Sequence, residues 1–161
     1  MNKILDRGAL REKLEDLRKT GKKIAFTNGC FDILHVGHVR YLREARKTGD
    51  VLVLALNSDS SVRSIKGERR PLVPEMERAE VLAALEFIDF VTIFDELTPL
   101  ELIQYLKPDV LIKGGDWPEE KVVGRDEIKK WGGKVVIIPE VMGKSTTNVV
   151  EKIINIYGRQ K

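Results

Sequence analysis

Residues 23–49, KIAFTNGCFDILHVGHVRYLREARKTG, decide how the chain is read. The stretch opens on a short apolar run, residues 24–26, which predicts a buried strand. Thr27-Asn28-Gly29 then breaks the run at a point where the backbone must turn sharply. After Phe31 and Asp32 comes His35-Val36-Gly37-His38, and from there Val39, Leu42 and Ala45 recur at helical spacing. A strand, a glycine turn and a helix start together turn bare backbone N–H groups and the positive end of a helix toward an anion. The chain's two histidines stand three residues apart at that helix start, so both are expected to face the same anion. The stretch therefore reads as a phosphate site. Gly37, without a Cβ, lets phosphate and backbone approach closely, and Thr27 with the amides of Asn28 and Gly29 completes the cradle.

Working outward, Leu10, Leu14 and Leu17 predict an amphipathic helix over 7–19, ended by Thr20-Gly21. The helix after the histidines stops at Thr48-Gly49. Residues 51–56 are an unbroken apolar run, expected of a strand buried on both faces. Asn57-Ser58-Asp59-Ser60 supplies polar groups where that strand ends, and residues 66–71, KGERRP, read as a mobile basic loop without an apolar anchor. Pro74-Glu75 opens a helix carried by Ala79, Val81, Leu82 and Leu85. Strand 90–94, helix 99–106, strand 110–113, the turn Gly114-Gly115-Asp116-Trp117, helix 124–131, strand 134–138 and a closing helix 146–157 follow.

Solid apolar strands alternating with helices predict a Rossmann-like three-layer α/β/α sandwich with a mainly parallel sheet. No repeat, low-complexity tract or linker interrupts it, so 1–161 reads as a single domain with a helix of residues 1–20 packed on it. In such sheets ligands bind outside the carboxyl ends of the strands, near the point where strand order reverses. Thr27-Asn28-Gly29, Asn57-Ser58-Asp59, residues 113–117 and residues 140–147 all follow predicted strands, so the polar clusters converge on one edge.

Composition narrows the partners. Lys plus Arg exceeds Asp plus Glu by 28 − 25 = 3 in 161 residues, and the basic clusters at 18–23 and 66–70 carry no interleaved aromatics, so no nucleic acid is expected. Cys30 is the single cysteine, which excludes an internal disulfide and suits a reducing cytoplasm. No apolar run reaches the ~18 residues of a membrane span, and the first residues lack a secretory apolar core. A cytoplasmic protein without a membrane partner is expected.

Thr27-Asn28-Gly29-Cys30-Phe31-Asp32 followed by His35-Val36-Gly37-His38, with Gly143-Lys144-Ser145-Thr146-Thr147 over a hundred residues later, resembles the nucleotidyltransferase superfamily that carries the HxGH signature. Within it, Asn57-Ser58-Asp59, Lys66-Gly67, Arg69-Arg70-Pro71 and Lys113-Gly114-Gly115-Asp116 look most like the adenylyltransferase part of ADP-heptose synthases. The resemblance runs from about Gly21 onward. It implies that His35 and His38 stabilise the transition state at the triphosphate, with Thr27 beside them, and that Lys66 neutralises phosphate charge. Asn28, Gly29, Phe31, Gly37, Lys113, Gly114, Gly143, Lys144, Ser145, Thr146 and Thr147 would hold the nucleotide. Asp32, Asp59, Asp116 and Trp117 would order the acceptor side, with Mg²⁺ accompanying ATP and no resident metal. The implied reaction moves AMP from ATP to D-glycero-β-D-manno-heptose 1-phosphate, giving ADP-heptose and pyrophosphate for lipopolysaccharide core synthesis. A homodimer is implied too. Some relatives are fused to a ribokinase-type sugar kinase; with no room for one here, a separate kinase is expected to supply the sugar phosphate. One departure stands out. Related glycerol-phosphate cytidylyltransferases carry an arginine shortly before the Gly-x-Ser-Thr-Thr motif where this chain has Glu140, and Lys144 fills their apolar position. The acid argues against CTP, and Lys144 is expected to supply the missing charge.

The chemistry agrees with the motif types. A phosphate nucleophile is already an anion, so no serine or cysteine need be activated, and the site has to supply position and compensating charge. Imidazoles can grip phosphate oxygens, Lys66 can close over them, and Ser145 and Thr146 offer hydroxyls at a second helix start. The enzymatic rival is a glycerol 3-phosphate cytidylyltransferase. A non-catalytic nucleotide-binding domain would need the glycine turn but not two imidazoles aimed at one phosphate. A metal-binding module would use Cys30, Asp32, His35 and His38 as ligands for zinc or iron.

Overall fold

The computed structural model describes residues 2–115, 118–139 and 143–158. Five parallel strands form one sheet in the order β3-β2-β1-β4-β5: β1 Ile24–Gly29, β2 Val51–Asn57, β3 Phe90–Phe94, β4 Val110–Gly114 and β5 Lys134–Ile138. Helices α1 Arg7–Lys19, α2 Val36–Arg46, α3 Asp59–Lys66, α4 Glu75–Ala83, α5 Leu100–Leu106, α6 Arg125–Lys130 and α7 Thr146–Tyr157 connect or flank them, with a short 3-10 turn at Glu119–Lys121. The expected parallel α/β/α sandwich is what the chain adopts.

Two-residue alternation along the strands builds the two faces. Ile24, Phe26, Val51, Val53, Ala55 and Phe90 pack against Leu10 and Leu14 of α1, Leu102, Ile103 and Leu106 of α5 and Ile128 of α6. Ala25, Leu52, Leu54, Leu56 and Val91 turn the other way, onto Leu42 and Ala45 of α2 and Ala79 and Leu82 of α4. The chain steps outward from β1 to β3 and then jumps back across β1 to β4. Helices α2 and α4 therefore cover one face and α5 and α6 the other. The crevice between them opens at the carboxyl ends of β1 and β4, the reversal point where such sheets take ligands.

Three expectations change. Residues 59–66, where only polar groups at 57–60 and a basic loop from Lys66 were expected, are helix α3: Ser58 Oγ accepts from Ser61 N at 3.2 Å as its cap, and Val62 is its buried anchor. Lys66 is the last residue of that helix and not part of a free loop. In α4, Val81 is 49% exposed while Arg78 is 2% exposed, so a guanidinium occupies the inward position expected of an aliphatic side chain. Helix α7 forms over the expected residues but buries none of them; Ile153, Ile154, Ile156 and Tyr157 are all at least half exposed.

This distribution sets a contrast in stability. Leu54→Ala, removing a fully buried side chain from β2, is expected to lose about 3 kcal/mol, whereas Ile154→Ala on exposed α7 shifts stability by less than about 0.5 kcal/mol. Urea denaturation of both variants measures it.

Candidate active site

The crevice encloses about 650 Å³ and its floor is Asn28 and Gly29 at the end of β1 with Lys113 and Gly114 at the end of β4. His35 caps α2: its Nδ1 accepts the Gly37 N–H at 3.1 Å. That bond fixes the neutral ring with its proton on Nε2, a donor free to address a phosphate oxygen. His38 stacks on His35 with centroids 3.8 Å apart and an interplanar angle of 22°. Phe31, buried and at φ 44, sets its ring edge against His38 with centroids 5.0 Å apart. Two glycines make this closeness sterically available. A Cβ on Gly29 would lie 2.8 Å from the Phe31 ring, and one on Gly37 would lie 2.9 Å from the His35 ring and 3.1 Å from Lys144 Cβ.

The last contact has the larger consequence, because it brings the two ends of the fold together. Lys144, Ser145, Thr146 and Thr147 line the same crevice as His35 and His38. Ser145 Oγ caps α7 by accepting Asn148 N–H at 3.1 Å, so the starts of α2 and α7 meet at one cavity. Two helix N-termini with their free amides form a strong anion site. Lys66, Arg70, Lys113, Lys121 and Lys144 surround it, and the one described carboxylate in the lining is Asp32.

Burial pushes the His38 pKa down to about 4, with the charge of His35 acting in the same direction. Its Nδ1 is buried with no hydrogen-bond partner among the described residues, and the nearby Ile33 carbonyl only partly offsets the loss. His35 is lowered as well, by burial and then by Lys144. Lys113 is lowered mainly by burial, with Lys66 adding to it against the pull of Cys30. Without a ligand the imidazoles are neutral donors, and the fixed positive charge comes from lysine and arginine.

Behind the crevice lies a clamp that the sequence reading missed. Asp32, 3% exposed, accepts from Leu72 N at 2.8 Å and Val73 N at 2.9 Å and pairs with Arg70 Nε. These backbone and arginine bonds hold its carboxyl below the ordinary range although burial acts against them. Arg78 donates to Val73 O at 2.9 Å, Cys30 O at 2.6 Å, Asn57 O at 3.0 Å and Asp59 Oδ1 at 2.7 Å. Glu75 Oε2 accepts from Asp59 N at 2.7 Å. The stretch 66–71 is thus tethered at its C-terminal end, and Arg70 is set into the crevice wall.

The expected residues sort accordingly. Asn28, Gly29, Phe31, Asp32, His35, Gly37, His38, Lys66, Lys113, Gly114, Lys144, Ser145, Thr146 and Thr147 line the crevice. Thr27 does not: it is fully buried, and its Oγ1 shares a 2.6 Å hydrogen bond with the hydroxyl of Tyr41, which does line the cavity. Asp59 faces Arg78, and Asp32 is committed to the 70–73 segment, so neither carboxylate is free for an acceptor. Gly143 lies just outside the lining, its carbonyl accepting from Asn148 Nδ2 at 3.1 Å. Asp116, Trp117 and Glu140 lie outside the described residues. The zinc alternative loses Asp32 to its loop contacts, and no group of three or more His, Cys, Asp or Glu among the described residues could hold a metal ion. Tyr41, Lys121 and Arg78 were not singled out, and Asn57 was noted only within the polar cluster Asn57-Ser58-Asp59; Tyr41 carried a signal, one helical turn beyond Gly37 on the face of the histidines.

The family model for cytidylyltransferase-like proteins matches residues 26–152. The chain belongs to the cytidylyltransferase-like family. It is 57% identical over 156 residues to the bifunctional protein HldE of Syntrophotalea carbinolica, a match that takes in 97% of this chain and 32% of that protein. The chain thus spans about a third of the length of the curated relatives it matches, 32% in each of the first two. The lipopolysaccharide core biosynthesis protein of Thermoplasma volcanium superposes with a TM-score of 0.62 at 30% identity, over 75% of this chain and 98% of that one. A pantoate-β-alanine ligase from Francisella tularensis, crystallised with βγ ATP and β-alanine, shares the fold with a TM-score of 0.57 at 14% identity, over 98% of this chain and 79% of its own. As a member of this family, the chain is a nucleotidyltransferase. No helix among the described residues is long and apolar enough to cross a membrane.

Two outcomes follow from the geometry. Arg78→Met strips the donor from three carbonyls and Asp59, and is expected to cost about 3–5 kcal/mol and lower Tm by roughly 10 °C; Arg78→Lys, with one donor centre, restores little of it. The second concerns pH. His38 is depressed to about 4 against an unfolded value near 6.5, so above that value it contributes nothing to pH dependence. As pH falls below it, the unfolded chain takes up a proton that the native ring refuses, and stability declines until the native ring protonates. Thermal melts between pH 7 and pH 4.5 are expected to show this decline, shallower in His38→Asn.

Proposed function

We propose that the protein transfers AMP from ATP to D-glycero-β-D-manno-heptose 1-phosphate, releasing pyrophosphate and forming ADP-heptose. The observation that carries the reading is the meeting of the stacked His35–His38 pair with Lys144-Ser145-Thr146-Thr147 across Gly37. A non-catalytic binder gains little from two imidazoles held 3.8 Å apart at a helix start, where one amide cradle already suits an anion.

In this reading an acceptor phosphate oxygen attacks the α-phosphorus of ATP. The new P–O bond forms as the bond to the bridging oxygen breaks, and its electron pair leaves with pyrophosphate. The nucleophile is an anion, so no proton has to be removed from it. His35 Nε2–H, His38 and the free amides of α2 donate to phosphate oxygens as charge moves onto them. The hydroxyls and amides at the start of α7 hold the leaving end, with Lys144 beside them. Lys66, Arg70 and Lys113 offset the charge of two phosphorylated substrates brought together. Mg²⁺ is proposed to enter as the counter-ion of ATP, on phosphate oxygens, since the described carboxylates near the site are spent on Arg70 and Arg78.

The curated relatives named HldE are bifunctional proteins. A second activity in the same polypeptide is therefore a better source of the acceptor in those proteins than the separate kinase expected from sequence. The core-biosynthesis name of the Thermoplasma protein supports the same pathway. The heptose acceptor is preferred over glycerol 3-phosphate on this ground, and ATP over CTP on the acid at Glu140.

The test is pyrophosphate release with each nucleoside triphosphate against a panel of sugar and polyol phosphates. ATP with the heptose 1-phosphate is expected to be the productive pair, and silence from every pairing ends the proposal. His35→Ala and His38→Ala are each expected to lower kcat by about 10²–10³. Lys144→Met is expected to raise the KM for ATP; an unchanged rate and KM would remove Lys144 from the site.

A further inference from the structure

The crevice has two walls of different chemistry. The first is formed by His35, His38 and Tyr41 of α2 and by the start of α7. The second comes from the end of α3, the segment before α5 and residues 121–123 at the end of the 3-10 turn. Its side chains include Lys66, Thr98 and Lys121, with three apolar groups left open to solvent: Ile65 at 44%, Leu97 at 65% and Val123 at 42% exposed. Three such groups on the rim of one polar cavity are more than scattered surface residues, because they face a common volume that also holds a hydroxyl and two ammonium groups.

Displacement at phosphorus gives the second wall its role. Entering and leaving oxygens lie on opposite sides of the α-phosphorus in an in-line transfer. If pyrophosphate departs toward the imidazoles and the two helix N-termini, the acceptor must come from the other wall. We infer that Ile65, Leu97, Thr98, Lys121 and Val123, with Lys66, form the acceptor subsite, and that it takes a phosphorylated sugar or polyol with an uncharged body. This rests on the nucleotidyl-transfer reading above. Lys66 holds the acceptor phosphate, Thr98 and Lys121 bond hydroxyls of its body, and the apolar trio closes over its carbon face. A cationic acceptor finds no counter-charge here, since Asp32 is the one carboxylate among the described lining residues and is bound to Arg70. Thr98 and Lys121 are both exposed and outside the two cores, so their replacement leaves folding intact.

The experiment is steady-state kinetics of the full chain with ATP and either D-glycero-β-D-manno-heptose 1-phosphate or glycerol 3-phosphate as acceptor. Thr98→Val and Lys121→Met are each expected to raise the KM for the sugar phosphate about ten-fold, the loss of one hydrogen bond to a substrate hydroxyl. The KM for ATP is expected to stay within about two-fold of wild type, as binding lost on the acceptor side alone requires. Lys121→Arg, which keeps a donor at that place, recovers part of the loss. An acceptor KM that does not move, or an ATP KM that rises in parallel, overturns the subsite. Wild-type transfer to glycerol 3-phosphate alone would remove the heptose assignment, and the same KM split measured on glycerol 3-phosphate then decides the wall. No pyrophosphate with either acceptor and any nucleotide overturns both.

Discussion

A guanidinium with no exposed surface holds this active site in shape. The Arg78 side chain is fully buried, and its donors reach the carbonyls that end β1 and β2, the carbonyl of Val73 and the carboxylate of Asp59. A charge placed there is tolerable only because each direction of the planar fork meets an acceptor. The same constraint spaces the ends of β1 and β2, the first of which forms part of the crevice floor. It also meets the second clamp, in which Asp32 gathers the amides of Leu72 and Val73 and the side chain of Arg70. Polar groups that a sequence reader would offer to a substrate are thus used to stiffen the frame. The substrate is left to backbone amides, hydroxyls and cations without an ion-pair partner among the described residues.

This division also explains the electrostatics. Burial lowers His38, with His35 adding to the effect, and burial with Lys144 beside it lowers His35. The imidazoles therefore rest neutral, stacked and ready to donate. Their arrangement is set by the cap on Gly37 N–H below and the Phe31 ring beside them. A polyanion entering the cavity would reverse the balance, because negative charge near an imidazole favours its protonated form. Charge compensation can thus grow as the ligand arrives instead of being stored at full cost in the empty protein.

Most of the fold was legible because its signals are local. Apolar runs at β1, β2 and β3 and the helical spacing after His38 announce themselves within a few residues, whereas the turn expected at Thr27-Asn28-Gly29 is the end of β1, and the backbone departs from the sheet only at Phe31, φ 44. The joining of Gly37 to Lys144 was legible only through motif resemblance, since nothing local links residues so far apart. What escaped notice depends on tertiary pairing. Arg78 reads as one charge on a charged helix until the acceptors from three separate segments close around it. Asp32 and Asp59 read as free carboxylates for the same reason. Thr27 sits at the right place in the motif, but strand alternation turns it onto the α2 face, where Tyr41 meets it. Helix α3 was missed because Val62 and Ile65 are too few to register as a periodic stripe, although its serine cap was visible.

The lone thiol in the chain has a practical consequence. Cys30 lines the cavity between the strand end that Arg78 grips and the cations of the floor, and burial keeps its thiol protonated beyond the usual range. An alkylating reagent must enter the same space as a nucleotide to reach it, and no other cysteine competes for label. The unmodified polypeptide therefore carries its own occupancy gauge: the rate of thiol labelling reads how full the chamber is, with no engineered probe.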